Sequence, residues 1–158
     1  MIELSLVGVR VELPTNQPIV LLKERDGERY LPIWIGAVEA TAIAFALQGV
    51  VTQRPMTHDL MKAILEEVGV NVERIAIVEL REGTFYSSIR LSRNGNTYEI
   101  SSRPSDAIAL AVRTNVPIYA AEEVIEEASI TIRDDEEESE VEKFRAFLDE
   151  VSPEDFQS

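Results

Sequence analysis

Two short segments of the sequence place an arginine and an acid at the start of an apolar helical pattern. The segment "RPMTHDL" covers residues 54–60 and contains His58, the one histidine of the chain. The segment "RPSDAIAL" covers residues 103–110. An arginine can bind a phosphate through two parallel N–H donors, and the N-terminus of a helix attracts anions. The repeated pattern therefore predicts an anion-binding site built from two helix starts.

The polar side chains near these helix starts have the types that phosphodiester hydrolysis requires. His58 could act as the general acid or base, because its charge changes near neutral pH. Glu39 and Asp59 could orient His58 or a water molecule, and we group these three as candidate catalytic residues. The candidate substrate-binding residues are Arg54, Arg103 and Asp106.

A purely structural explanation covers part of the same pattern. A proline before a helix fixes the direction of entry and removes a donor that would lack a partner. Thr57 and Ser105 could cap the free N–H groups of the two helices. Asp59 and Asp106 would then lie in the first turn, where the helix dipole favours a negative charge. The two arginines are not explained in this way, since they add positive charge where the dipole is already positive.

The composition limits the class of protein. The chain has 158 residues and no cysteine, which suits a single domain and excludes disulfides, thiolate metal sites and a cysteine nucleophile. A formal net charge of −14 argues against non-specific binding to nucleic-acid backbones. The GxGxxG, Walker and HExxH motifs are absent from the sequence. No apolar run approaches the roughly 20 residues of a membrane span, and the N-terminus does not resemble a signal peptide. We therefore expect a soluble cytoplasmic protein.

The hydrophobic periodicity predicts an α+β protein, with a twisted, mixed or mostly antiparallel sheet packed with helices. We expect a bulge where the first strand changes face at Val7-Gly8, and an edge or irregular position at Pro32. Both halves of the chain follow the same order of strands, Arg-Pro turn and helix, which suggests an internal duplication. The predicted strands cover residues 2–13, 18–24, 29–36, 72–80, 84–92, 97–101 and 117–120, and the predicted helices cover residues 38–49, 57–69, 105–114 and 122–128.

The acidity of the chain is concentrated at its C-terminus. Residues 131–158 carry 3 basic and 11 acidic side chains, a net charge of −8. We expect residues 131–140 to form a solvated acidic linker and residues 141–158 to form an amphipathic helix. Such a helix must pack its apolar face against its own domain or against a second subunit. That face would carry Val141, Phe144, Phe147, Leu148 and Val151.

Several longer segments of the sequence resemble the bifunctional nuclease domain family. They read "LPIWIGAVEATAIAFALQG", "RPMTHDLM", "EGTFYSSI", "SRPSDAIALAVR" and "PIYAAEEVIEEA". The resemblance covers about residues 1–130, which we take as a bifunctional-nuclease-like domain, and it is to bacterial members. It implies a compact α+β domain that assembles into dimers or larger homo-oligomers and hydrolyses both DNA and RNA. The positions that match the family's motifs are Glu39, Arg54, His58, Asp59, Arg103 and Asp106.

Two functions are compatible with these residues. The first is a nuclease in which His58 transfers protons and Arg54 and Arg103 bind the phosphate. Its carboxylates could hold a Mg²⁺ or Mn²⁺ ion, which would also offset the acidic charge. The second is a non-catalytic oligomeric module that binds a small anionic ligand or a protein partner, which the acidic composition favours. The nuclease requires that the two helix starts meet at one cleft open to solvent.

Overall fold

The computed structural model describes residues 1–12 and 16–131 of the chain. These residues form one eight-stranded mixed sheet and four helices, which confirms the predicted α+β class. The expected acidic linker, residues 131–140, lies outside the described residues except for Thr131. The expected C-terminal helix, residues 141–158, lies entirely outside them.

The helices and strands follow the hydrophobic pattern of the sequence closely. The strands are β1 (Ile2–Glu12), β2 (Gln17–Glu24), β3 (Arg29–Trp34), β4 (Asn71–Arg81), β5 (Thr84–Arg93), β6 (Asn96–Ser102), β7 (Ile118–Ala120) and β8 (Ile130–Thr131). The helices are α1 (Ala37–Leu47), α2 (Thr57–Glu67), α3 (Pro104–Thr114) and α4 (Glu122–Ala128). The two-residue strand β8 was not predicted, because it is too short to show a period. Among the described residues, none of the helices is long and apolar enough to cross a membrane.

The strand order explains how separate parts of the chain meet. It runs β6-β5-β4-β7-β1-β2-β3-β8. Strands β1, β2 and β3 form one antiparallel meander, and helix α1 follows it in the chain. Strands β4, β5 and β6 form a second antiparallel meander, which helix α3 follows. Strand β7 joins the meanders, because it pairs antiparallel with β1 and parallel with β4. This order matches the sequence pattern that suggested a duplication. It also brings α1 into contact with α3.

Two irregular positions of the sheet lie where the sequence places them. The register of β1 shifts between Leu6 and Gly8, which confirms the expected bulge. Pro32 pairs with Leu21 of β2, whereas β8 reaches only the first two residues of β3. Pro32 therefore lies where β3 is the edge of the sheet, and its missing N–H removes no ladder hydrogen bond.

The main core lies on one face of the sheet, which we call the inner face. Strands β2 and β3 contribute the alternating residues Val20, Leu22, Leu31 and Ile33 to this face. Helices α1, α3 and α4 supply the opposing apolar side chains of the same core. The opposite surface of β1, β2 and β3 is called the outer face below. Because α1 and α3 both pack on the inner face, their N-termini can approach each other.

Candidate active site

Three helices carry a carboxylate at the third helical residue. Helices α1, α2 and α3 have Gly36, Met56 and Arg103 at the N-cap, and Glu39, Asp59 and Asp106 three residues later. A carboxylate in the first turn is stabilised by the partial positive charge of the helix start. The sequence therefore placed Asp59 and Asp106 correctly in the first turns of their helices.

The expectation that Thr57 and Ser105 cap these helices is wrong. Thr57 is the first residue of α2, and Ser105 is the second residue of α3. At α2 the carboxylate of Asp59 performs the capping instead, because its Oδ2 accepts a hydrogen bond from the N–H of Met56 at 3.0 Å. This is the half of a capping box in which the third residue bonds back to the N-cap.

Four side chains from the three helix starts form one hydrogen-bonded chain, which we call the helix-start cluster. His58 Nε2 lies 2.9 Å from Asp106 Oδ1. Arg103 donates to both carboxylate oxygens of Asp106, from Nε at 3.0 Å to Oδ2 and from Nη2 at 3.2 Å to Oδ1. The remaining guanidinium nitrogen, Nη1, donates to Glu39 Oε1 at 2.9 Å. One arginine thus connects the starts of α1 and α3, and one aspartate connects those of α2 and α3.

The hydrogen bonds of the cluster keep both carboxylates ionised. A bond from its own backbone N–H and a bond from Arg103 lower the pKa of Glu39. Partial burial raises the pKa of Asp106, but the hydrogen bonds from Arg103 and His58 outweigh it, and the pKa lies below its ordinary value. The same bonds raise the pKa of Arg103, chiefly through Asp106. At neutral pH Glu39 and Asp106 are therefore negatively charged and Arg103 is positively charged.

The hydrogen bond to Asp106 fixes the tautomer of His58. An ionised carboxylate only accepts hydrogen bonds, so the Nε2 of His58 must carry the proton that is donated to Asp106. The other ring nitrogen, Nδ1, forms no hydrogen bond with the described residues. Every buried side-chain nitrogen or oxygen among those residues does have a hydrogen-bond partner. Nδ1 is therefore the ring nitrogen of His58 that is not engaged by Asp106.

An open pocket of about 310 Å³ lies beside the cluster. Both helix starts, α1 and α3, form part of its wall, together with the turn between β4 and β5 and the end of β3. Glu39 and Arg103 line the pocket, whereas His58 is not among its lining residues. The N-cap Gly36 lies in the wall as well, and a methyl group at this position would overlap the carboxylate of Glu39.

Asp59 belongs to a second cluster, which we call the buried-arginine cluster. Arg113, near the end of α3, donates from Nε to Asp59 Oδ1 at 2.7 Å. It also donates to the carbonyl oxygens of Ala42 in α1 and Ala109 in α3, each at 3.0 Å. Burial raises the pKa of Asp59, but the bonds from Arg113 and from the N–H of Met56 outweigh it and the pKa is lowered. Through its bond to Arg113, Asp59 thus helps to hold three helices together.

Arg54 lies apart from both clusters. It is exposed, and it is not one of the residues that line the pocket. Its backbone carbonyl accepts a hydrogen bond from the hydroxyl of Thr52 at 2.6 Å. Its guanidinium forms no hydrogen bond or ion pair with the residues that the structure describes. Of the two arginines that the Arg-Pro pattern singled out, only Arg103 joins the other candidate residues.

The carboxylates do not form a ready set of metal ligands. Within residues 1–12 and 16–131, no group of three histidine, aspartate or glutamate side chains is arranged to hold a metal ion. Asp106 and Glu39 both receive hydrogen bonds from Arg103, and a cation would compete with that guanidinium. These carboxylates therefore do not fit a Mg²⁺ or Mn²⁺ ion while they are bonded to Arg103.

Sequence reasoning missed two residues that shape the site. Arg113 reads as an ordinary basic residue in the last turn of a helix, where a positive charge is favoured by the dipole. Gly36 reads as a loop residue between β3 and α1. The signal for Gly36 is its place three residues before an acid, which marks the N-cap of a helix. No sequence signal indicates that Arg113 reaches α1 and α2.

Comparison with known proteins places the chain in a family. A family model described as the bifunctional nuclease domain matches residues 20–133. The chain belongs to the bifunctional nuclease domain family. This match confirms the resemblance seen in the sequence, and it contains all six candidate residues.

Relatives of this domain occur in bacteria and in plants. The chain is 49% identical over 164 residues to "Uncharacterized protein Rv1829" of Mycobacterium tuberculosis, covering 99% of this chain and 98% of that protein. It is 32% identical over 106 residues to "Bifunctional nuclease 1" of Oryza sativa subsp. japonica, and 30% identical over 105 residues to "Bifunctional nuclease 1" of Arabidopsis thaliana. The plant matches cover 65% and 64% of this chain, but only 32% of each plant protein.

Proposed function

We propose that the protein hydrolyses phosphodiester bonds of DNA and RNA in the pocket beside the helix-start cluster. The observation that carries this proposal is that the exposed guanidinium of Arg103 and the ionised carboxylate of Glu39 line one open pocket between two helix starts. Membership of the bifunctional nuclease domain family supports the reaction class. The names of the plant relatives support the choice of nucleic acid as substrate.

Arg103 is the proposed ligand of the phosphate. Its side chain is 63% exposed although it makes three charge-assisted hydrogen bonds, so one face of the guanidinium is open to a ligand. The N-termini of α1 and α3 border the same pocket and add partial positive charge where an anion would bind. A local site of this kind lets an acidic protein bind a single phosphate without a basic surface. Arg54, which does not line the pocket, would contact the substrate only beyond the scissile phosphate.

Glu39 is the proposed base that activates water. Its lowered pKa keeps it ionised at neutral pH, so it can accept a proton from a water molecule in the pocket. The water oxygen then bonds to phosphorus, the bond to the leaving oxygen breaks, and that oxygen takes up a proton. The negative charge that develops on the phosphate is stabilised by Arg103. Asp106 holds the guanidinium of Arg103 in place through two hydrogen bonds.

His58 is the proposed source of the proton for the leaving oxygen, for which its Nδ1 must first take up a proton from solvent. Its Nε2 is bound to Asp106, so any proton exchange with the substrate must use Nδ1. A glutamine at this position keeps an N–H where Nε2 lies, but it cannot transfer protons. His58→Gln and His58→Ala should both lose cleavage if His58 is the acid, by about 100-fold or more. Recovery of activity in His58→Gln alone would instead make His58 a positioning residue for Asp106.

The test of the proposed function is cleavage of end-labelled single-stranded DNA and RNA by the purified full-length protein. Glu39→Gln should abolish product formation on both substrates while thermal unfolding is little changed. The matched control is Glu3→Gln, since Glu3 also pairs with an exposed arginine, Arg25, at 2.9 Å, but lies outside the pocket. If both variants cleave as fast as the parent protein, neither Glu39 nor the pocket takes part in the reaction.

A second candidate function is binding of a small anionic ligand by a non-catalytic oligomer. The observation that favours it is that every charged group of the helix-start cluster is already paired. Leu60, Ile64 and the C-cap residue Val68 also form an exposed apolar stripe along one side of α2, as a surface for another subunit would. Binding of nucleotides without any product, by a protein that sedimentation shows to be a dimer or larger, would favour this candidate over hydrolysis.

A further inference from the structure

The outer face of β1, β2 and β3 carries apolar residues that do not belong to the main core. Strand pairing aligns Ile19 with Trp34, and Leu21 with Pro32, so these side chains alternate with the inner-face residues. Tyr30 aligns with Lys23 on the same face. We call these five apolar residues, Ile19, Leu21, Tyr30, Pro32 and Trp34, the outer apolar patch.

Part of the outer apolar patch is buried, although the described helices pack elsewhere. Ile19 is 8% exposed and Tyr30 is 3% exposed, and neither belongs to the main core cluster. Among the described helices, α1 and α4 make the main contacts with β1, β2 and β3. Both place their buried aliphatic residues in the inner-face core. Among the described residues, no helix covers the outer apolar patch.

We propose that residues 141–151 of the same chain dock on the outer apolar patch. The apolar residues Val141, Phe144, Phe147, Leu148 and Val151 recur at the spacing of one helical face, and they need an apolar surface to pack against. The patch offers such a surface on the domain to which the segment is tethered. Docking within the chain costs less entropy than docking on a second molecule, because the tether keeps the effective concentration high.

The end of the described chain lies next to the patch. In the register of β3 and β8, Ile130 pairs with Tyr30 and Thr131 pairs with Arg29. Residues 132–140 can extend by about 30 Å at most, at roughly 3.3–3.6 Å per residue. The three strands beneath the patch are spaced by about 4.8 Å, so the linker easily reaches every part of it.

The charges of the two surfaces are complementary. Arg10 aligns with Ile19 and Lys23 aligns with Tyr30, so two cations lie on the outer face beside the patch. Lys23 also lies over the ring of Tyr30 at 5.5 Å. Residues 131–158 have a net charge of −8. An acidic amphipathic helix therefore matches this face both in its apolar side chains and in its charge.

The absence of cysteine from the sequence allows a direct test by site-specific alkylation. Leu21→Cys or Pro32→Cys places one thiol within the patch of the full-length protein. Its alkylation should be slowed about tenfold or more relative to the same variant that also carries Phe144→Ser and Phe147→Ser. The control is Ser88→Cys on β5, outside the patch, which should react at the same rate in both backgrounds. Equal rates at both patch positions in the two backgrounds would overturn the proposal.

A mixing experiment distinguishes docking within the chain from docking on a second copy. The Leu21→Cys protein with both serine substitutions is mixed with an excess of the parent protein, which supplies intact C-terminal segments in trans. The alkylation rate should stay high, because the segment of another molecule is not tethered to this patch. Restored protection in the mixture would contradict docking within the chain and indicate exchange between subunits.

Discussion

The two arginine clusters each pair an arginine with an aspartate, but the two arginines differ in exposure. The side chain of Arg103 is 63% exposed and lines an open pocket, whereas that of Arg113 is 8% exposed. Each arginine makes a short ion pair with an acid at the third residue of a helix. Within the described part of the chain, only Arg113 also donates to backbone carbonyl oxygens, those of Ala42 and Ala109.

This difference separates the structural role of Arg113 from the role that we propose for Arg103. The guanidinium of Arg113 donates hydrogen bonds to groups of the protein itself and so links α1, α2 and α3. Because it is buried, it has little room to bind a ligand. Arg103 is held rigidly by Asp106 and Glu39 while it remains open to solvent. A rigid and exposed guanidinium is suited to binding a phosphate, because the cost of ordering the side chain is met before the ligand arrives.

The largest expected effect is on stability, and it follows from changing the buried arginine. Arg113→Met should lower the free energy of unfolding by on the order of 3 kcal/mol, because Asp59 and two carbonyl oxygens lose their donor. The measurement is urea unfolding of the purified protein. Adding Asp59→Asn should recover part of the loss, since it removes the uncompensated charge. An Arg113→Met protein as stable as the parent would show that the buried-arginine cluster does not hold the helices together.

A smaller effect is expected from crowding the carboxylate of Glu39. A methyl group at Gly36 would overlap that carboxylate, and the extended backbone of Gly36, at φ −80°, accepts alanine. Gly36→Ala should therefore reduce cleavage by roughly tenfold, as a displaced catalytic group does, with a minor change in stability.

Gly27→Ala provides the matched comparison for that substitution. A methyl group at Gly27 would overlap the carboxylate of Glu24, which is bonded to Arg29 and lies away from the pocket. The Gly27 variant should keep its activity and lose only stability. Equal losses of activity in the two variants would mean that cleavage does not depend on the position of Glu39.

The smallest expected effect is on stability in acid, where both clusters should behave alike. The pKa values of Asp106 and Asp59 are lowered in the folded protein, so each carboxylate stabilises the fold above its ordinary pKa of about 4. That contribution is lost as the pH falls through the lowered pKa values. Asp106→Asn and Asp59→Asn should therefore differ most from the parent near pH 5–6 and converge with it in strong acid.

Unfolding curves measured between pH 2 and 6 check this expectation. The pH dependence of stability should become shallower in each asparagine variant than in the parent protein. A constant difference between variant and parent across the whole range would show that the lowered pKa values do not contribute to stability.

The sequence predicted the acids in the first turns of α2 and α3 because the signals for them are local, but it assigned the N-caps to the wrong residues. The acid at the third residue of α2 and of α3 can be read from the chain, and so can the proline that opens α3. The contact between His58 and Asp106 could not be predicted in the same way. These residues lie 48 positions apart, and their contact depends on how α2 packs against α3.

The sequence also could not show which of the two aspartates, or which of the two arginines, belongs to the pocket. Asp59 and Asp106 hold equivalent positions in their helices, yet one bonds to the buried Arg113 and the other to the exposed Arg103. Arg54 and Arg103 both belong to an Arg-Pro pair, but only Arg103 meets an acid of a neighbouring helix. Burial decides these roles, and burial is a property of packing between distant segments.

The central claim is that Arg103 binds the reacting phosphate, and the most direct test is kcat/KM for cleavage of DNA and RNA by Arg103→Gln. Its control is Arg25→Gln, since Arg25 is 62% exposed and pairs with a glutamate at the same 2.9 Å distance. Arg103→Gln should lower kcat/KM by about 100-fold or more, with a melting temperature close to that of the parent, whereas Arg25→Gln should change neither. Equal kcat/KM values for the two variants would contradict the account.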